Sequence, residues 1–204
     1  PQDISSSVDL ALCNHTSPRP EWKIPCLRWP YFAFVQHRIA DPVPEFTCDL
    51  AFAGRLDDRG IYAERTAVVR ALKARLKERM LVFAPTAGDQ HTLYRTPELA
   101  ISAHAVLGWA RPDASGWTDV RTFQYPGAGG ILLSNGAEEF LAPQDMFVPF
   151  EQPTVESILA SLERLLAWPA WKDHQVRESG FEYMQREHSS VVRVQQVLRT
   201  LDLM

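Results

Sequence analysis

From Cys48 onward the chain alternates short apolar runs with segments of helical periodicity, and this alternation constrains the fold more than any other feature. Residues 49–53, 80–84, 101–107, 131–133 and 146–150 are apolar almost throughout. Such runs read as strands covered on both faces. Helix patterns lie between them. Residues 62–76 set Val68, Val69, Leu72 and Leu76 on one stripe, with the Arg and Lys residues expected to face out. A short helix is expected over 92–99, and another begins at Arg121. Asn135 suits the cap of a helix with Glu138 and Glu139 in its first turn. Thr154 caps an amphipathic helix whose apolar face holds Val155, Ile158, Leu159, Leu162 and Leu166. Two helices, over 170–184 and 190–202, close the chain, the second with Val191, Val194, Leu198 and Leu201 at helical spacing. The predicted fold class is α/β: a Rossmann-like parallel sheet with helices on both faces, followed by C-terminal helices.

In such sheets ligands bind at the carboxyl ends of the strands. Two segments are expected there. Gly54-Arg55 ends the first strand, and an arginine at that place suits a diphosphate. The second segment runs from Arg121 through Gln124 to Gly129-Gly130 and the apolar Ile131-Leu132-Leu133. Arg121 and Gln124 are three apart, so a short polar helix puts them on one face. Gly129 and Gly130 either leave room for a ligand to approach the backbone or simply end the helix. Arg121 is weighed against a salt bridge to Asp119 or Glu138, and Arg55 and Gln124 against solvated surface positions. Phe123 and Tyr125 are read as pocket wall or core, and Trp117 as a residue that could stack on a base. Asp57 and Asp58 read as solvated turn residues, and His188 as a cap or loop-fixing residue.

The 204 residues fit one domain of ordinary size, or one domain plus a fragment. Residues 1–45 read as a lead-in segment and residues 46–204 as the domain. The lead-in contains a strand near 8–13 and an aromatic cluster of Trp22, Trp29, Tyr31, Phe32 and Phe34. A cluster of that size is expected to pack on an N-terminal domain or a partner subunit through residues 22–34. The polar start, Pro1-Gln-Asp, lacks an initiator Met and suggests a processed or cut chain. Cys13, Cys26 and Cys48 lack CxxC spacing and read as free thiols, which places the chain in a reducing cytoplasm. No apolar run approaches the roughly 18 residues of a membrane span. The net charge of −4 argues against a broad nucleic-acid surface and leaves room for a local basic pocket. His15, His37, His91, His104 and His174 lack metal-ligand spacing, so no metal site is expected.

The stretch from Cys48 onward resembles the C-terminal half of GT-B glycosyltransferases, and most nearly the CgeB-like branch of the group 1 (GT4-like) enzymes. Asp49-Leu-Ala-Phe-Ala-Gly-Arg55 is similar to the family's opening strand. Arg121-Thr-Phe-Gln124 with Gly129-Gly130-Ile-Leu-Leu is similar to its Arg-x-Phe-Glu…Gly-Gly/Ala-x-x-Leu. The stretch from Glu139 to Phe150 matches its helix, loop and short strand, and Glu187-His188-Ser189 its His-Thr before the last helix. The resemblance implies transfer of a sugar from a nucleotide diphosphate sugar, of UDP or TDP type, without a metal. It implies donor contacts at Gly54, Arg55, Arg121, Phe123, Gln124, Tyr125, Gly129 and Gly130. Arg55 and Arg121 would neutralise the departing diphosphate. Gln124 stands where the family has a ribose-binding Glu; it keeps a carbonyl acceptor but no charge. That change, with a lead-in too short to hold an acceptor, also fits a degenerate nucleotide-binding module that stabilises a partner. Glycosylation of a modified nucleic-acid base is a third reading.

Overall fold

The computed structural model describes residues 11–13, 26–28, 41–84, 95–109, 121–135 and 147–202. In the lead-in, β1 (Ala11–Cys13) and β2 (Cys26–Arg28) form a separate parallel pair. β3 (Cys48–Ala53) opens the main sheet and is followed by α1 (Ala63–Leu76), β4 (Met80–Phe83), α2 (Thr96–Ser102) and β5 (Ala103–Leu107). Then come α3 (Arg121–Gly127), β6 (Leu132–Ser134), β7 (Phe147–Pro149), α4 (Val155–Leu166), α5 (Ala170–His188) and α6 (Ser190–Thr200).

The five strands are ordered β4-β3-β5-β6-β7 and every pairing is parallel. Within the domain the first strand therefore lies between the second and the third. The direction of winding reverses between β3 and β5, the switch point at which an open α/β sheet leaves a crevice beyond its carboxyl ends.

Both faces are covered, as the apolar runs require. Leu50 and Phe52 join Val69, Leu72, Ile158 and Leu162 on the side of α1 and α4. Ala51 and Ala53 join Leu99, Phe123, Tyr125 and Met184 on the side of α2, α3 and α5. The cap at Thr154 is present: its hydroxyl accepts from the Ser157 N–H at 3.3 Å.

Several local expectations change. α2 runs on to Ser102, and Ile101 is helical instead of opening β5. Ser102 holds that end, because its hydroxyl donates to the Glu98 carbonyl at 2.6 Å and accepts from the Val43 N–H at 2.8 Å. α5 extends to His188, beyond the expected 184. The basic residues of α1 do not all face out. Arg65 is buried, with its guanidinium over the rings of Tyr62 at 4.6 Å and Phe52 at 5.6 Å. α6 turns its valines outward: Val191 and Val194 are more than half exposed and Arg193 is the buried residue. The aromatic cluster of residues 22–34, Trp117, Asp119, Glu138 and Glu139 lie outside the described residues. No described helix is long and apolar enough to cross a membrane.

Candidate functional site

At the carboxyl end of β3 the chain turns sharply through Gly54, whose N–H donates to the Phe83 carbonyl at 2.8 Å. A methyl group on Gly54 would lie 2.9 Å from Nη2 of Arg121 and 3.0 Å from the Phe52 ring. The absent side chain thus lets the Arg121 guanidinium reach the strand end, and the structure brings these two predicted residues together. Arg55 follows on the exposed side, where it pairs with Asp57 at 2.8 Å and stands 5.5 Å from the Tyr62 ring. The pair is solvated and weak, so an incoming anion can displace it. Arg65 supports the turn from below by donating to the Arg55 carbonyl. Asp57 is tied to α1 through Thr66, and Asp58 pairs with Arg70. Asp58 is a solvated loop residue, as expected, whereas Asp57 is half-buried and hydrogen-bonded into the loop.

α3 carries the other half of the predicted site. Its residues are more enclosed than a polar helix would be. Thr122, Phe123, Tyr125, Pro126 and Gly127 are buried, while Arg121 and Gln124 are half-buried on the accessible side. Phe123 and Tyr125 have no exposed surface. They seat the helix on the sheet and offer no wall to a ligand in this conformation.

Of the two readings of Gly129 and Gly130, the geometry matches the helix end. α3 starts beside the carboxyl end of β3 and descends, so the two glycines lie near the amino end of β5, about 10 Å of helix away from Arg121. The Gly130 N–H donates to the Tyr125 carbonyl and the Gly129 N–H to the Pro126 carbonyl, each at 2.8 Å. Gly129 has φ +86°. This is the Schellman end of a helix, which needs a residue in the left-handed region. The space beside Gly130 is filled: a methyl group there would lie 2.5 Å from the Ala100 carbonyl oxygen. Gly129 meets the conformational demand of the helix end, and Gly130 permits the close approach of α2.

α5 runs antiparallel to α3 and holds it at three levels. At the bottom, Arg177 donates to the Gly129, Ala103 and His104 carbonyls and pairs with Asp173 at 2.8 Å. In the middle, Gly180 lets Pro126 approach, so that a methyl group would meet it at 3.3 Å. At the top, the His188 ring lies 5.2 Å from the Phe123 ring and 5.2 Å from the Tyr183 ring. A guanidinium nitrogen of Arg193 bonds Nδ1 of His188. Burial and the Arg193 charge push the His188 pKa down to about 4. Burial also lowers the pKa of Arg193. The sequence pointed to His188 but not to Arg193, because a spacing of five across a helix break has no periodic signature.

A cavity of about 270 Å³ opens at the other end of the sheet, lined by residues that include Ile101, His104, Gly129, Asp173 and Arg177. Arg177 is saturated there by its own partners, and this cavity is remote from Gly54. Among the described residues no three His, Cys, Asp or Glu side chains come together as a metal site would need.

The comparisons with known proteins fit this architecture. A solved structure of alpha,alpha-trehalose 6-phosphate synthase from Burkholderia multivorans superposes with a TM-score of 0.53 at 14% identity. The match covers 89% of this chain and 51% of that one, so the chain spans about half the length of its structural neighbour. At that identity the likeness establishes the fold, which is that of a GT-B glycosyltransferase domain. No protein of curated function matches the chain. The profile described as glycosyl transferase-like matches residues 64–199, from the first turn of α1 to the end of α6. The chain therefore belongs to the glycosyl transferase-like family.

Proposed function

We propose that this chain is the donor-binding half of a glycosyltransferase and holds a nucleoside diphosphate sugar, of uridine or thymidine type, at the carboxyl edge of β3. The observation that carries the reading is the approach of Arg121 to Gly54 at the switch point of the sheet. There the diphosphate would lie over the glycine turn, between the Arg121 and Arg55 guanidinium groups. Gln124, one turn along α3, would orient the ribose through its carbonyl oxygen. As the sugar leaves, negative charge builds on the diphosphate, and two fixed cations stabilise it without a metal. The acceptor and its activating group would come from an N-terminal domain or a partner, docked through residues 22–34. The buried free thiol of Cys48 is compatible with a reducing cytoplasm.

A second reading is a module that binds the nucleotide and has lost turnover. It is favoured by Gln124 in place of an acid and by the engagement of Arg55 with Asp57. Incubation with UDP- and TDP-sugars, alone and with the acceptor half added, separates the two. Release of nucleoside diphosphate supports the enzyme. Binding without release supports the module, and absence of both contradicts either reading.

A further inference from the structure

Arg193 is 95% buried on α6, and among the described residues no carboxylate pairs with it. Buried guanidinium groups are ordinarily paired with an acid, because an isolated buried charge is costly. Here the acceptors are Nδ1 of His188 and the Gln196 side-chain oxygen at 2.9 Å. A guanidinium can only donate, so Nδ1 must accept and the ring proton sits on Nε2. Nε2 of His188 and Nε of Arg193 are themselves buried, with no hydrogen-bond partner among the described residues. Buried donors left unsatisfied cost stability, so the arrangement is poor as a device for stability alone.

Its position suggests another use. His188 ends α5 and lies against Phe123, two residues from Arg121 and one from Gln124. The lower contacts of α3, at Gly129 and Pro126, are backbone and close-packed. The upper contact adds the His188 imidazole to the buried Met184 side chain. We propose that Arg193 is a positioning residue for the donor site: acting through His188, it keeps the imidazole neutral and seated against Phe123, and so fixes the first turn of α3. The proposal rests on the reading of that turn as a nucleotide contact.

The groups around His188 agree. From α6 the charged neighbour is Arg193, which opposes protonation, and from α5 Glu187 favours it more weakly. Tyr183 on α5 contributes its ring, 5.2 Å from that of His188. α3 contributes Phe123, with the Arg121 cation in the same turn.

The test uses the full chain, with ¹⁵N NMR of His188 from pH 8 to 5, amide exchange along α3, and uridine diphosphate binding. In the wild type Nδ1 should be the unprotonated nitrogen and the ring should not titrate down to pH 5. Arg193→Met should raise the His188 pKa part of the way toward the ordinary histidine range, burial still holding it below. It should speed exchange of the α3 amides about tenfold and weaken binding about tenfold, leaving β3 and β5 exchange unchanged. Arg193→Lys, which retains a donor, should recover part of each effect. The proposal is overturned if His188 titrates as a solvated imidazole in the wild type, or if exchange in the variant rises equally over the whole sheet or nowhere. The wild-type titration decides even if Arg193→Met does not fold. If no nucleotide binds the wild type, the donor-site reading fails, and the tautomer and exchange results still decide what holds α3.

Discussion

Arg121 on α3 lays its guanidinium beside Gly54 at the carboxyl end of β3, 2.9 Å from where a side chain on that glycine would begin. This relationship joins two segments 67 positions apart in sequence and puts a cation at the switch point of the sheet.

Gly54→Val therefore acts on both binding and stability. The Arg121 side chain and the buried Phe52 ring must both give way, so the fold should lose about 1–3 kcal/mol. Displacing the cation should weaken nucleoside diphosphate binding at least about tenfold. Calorimetric titration and denaturant melts measure the two effects, and unchanged affinity would remove Gly54 and Arg121 from the site.

Gly130→Ala acts on the fold alone. The added methyl meets the Ala100 backbone, which has little freedom to yield, and the expected loss is about 1–3 kcal/mol. Gly129→Ala must adopt φ near +86° and should cost roughly 1–2 kcal/mol. Thermal melts of both variants test the structural assignment. A wild-type melting temperature combined with lost nucleotide binding would restore the ligand role expected from sequence.

These glycines show where the sequence is legible. The apolar runs and the Thr154 cap follow from local patterns, and they fix the sheet, its coverage and most helices. Gly54 and Arg121 could be assigned to a strand end and a helix start by the same means. A Gly-Gly pair, however, serves a ligand and a Schellman turn equally well in one dimension, and the neighbour that decides, Ala100, is distant in sequence. Arg65 looked like a solvated helix arginine because its Phe52 and Tyr62 partners lie across a turn. The valines of α6 suggested a packed stripe, yet Arg193 took the inner position by pairing with His188.

Arg65→Leu should disturb the Gly54–Arg55 turn from below. The Arg55 carbonyl loses its donor and the Tyr62 ring its cation. A destabilisation of about 1–3 kcal/mol is expected, with a several-fold loss in nucleotide affinity. Chemical denaturation and titration of the variant check both; full affinity would show that the turn does not depend on Arg65.

His188 gives stability a pH dependence. Its folded pKa, about 4, lies below the ordinary 6.5, so the unfolded chain binds the proton more readily between those values. The stabilisation from the neutral ring is present above pH 6.5 and is lost as pH falls toward 4, by up to about 3 kcal/mol. His188→Asn, which cannot titrate, should flatten this part of the stability curve relative to the wild type. Parallel slopes for the two proteins between pH 6.5 and 4 would contradict the assignment.

The most direct test of the central claim is thermal melting with UDP, TDP, GDP and ADP, repeated on Arg121→Ala. One-site binding at ~100 times the dissociation constant adds about 2.7 kcal/mol, a readily measured shift. The account predicts stabilisation by the uridine or thymidine nucleotide, and its loss in Arg121→Ala while the variant remains folded. No shift with any nucleotide, or a shift undiminished in Arg121→Ala, would contradict it.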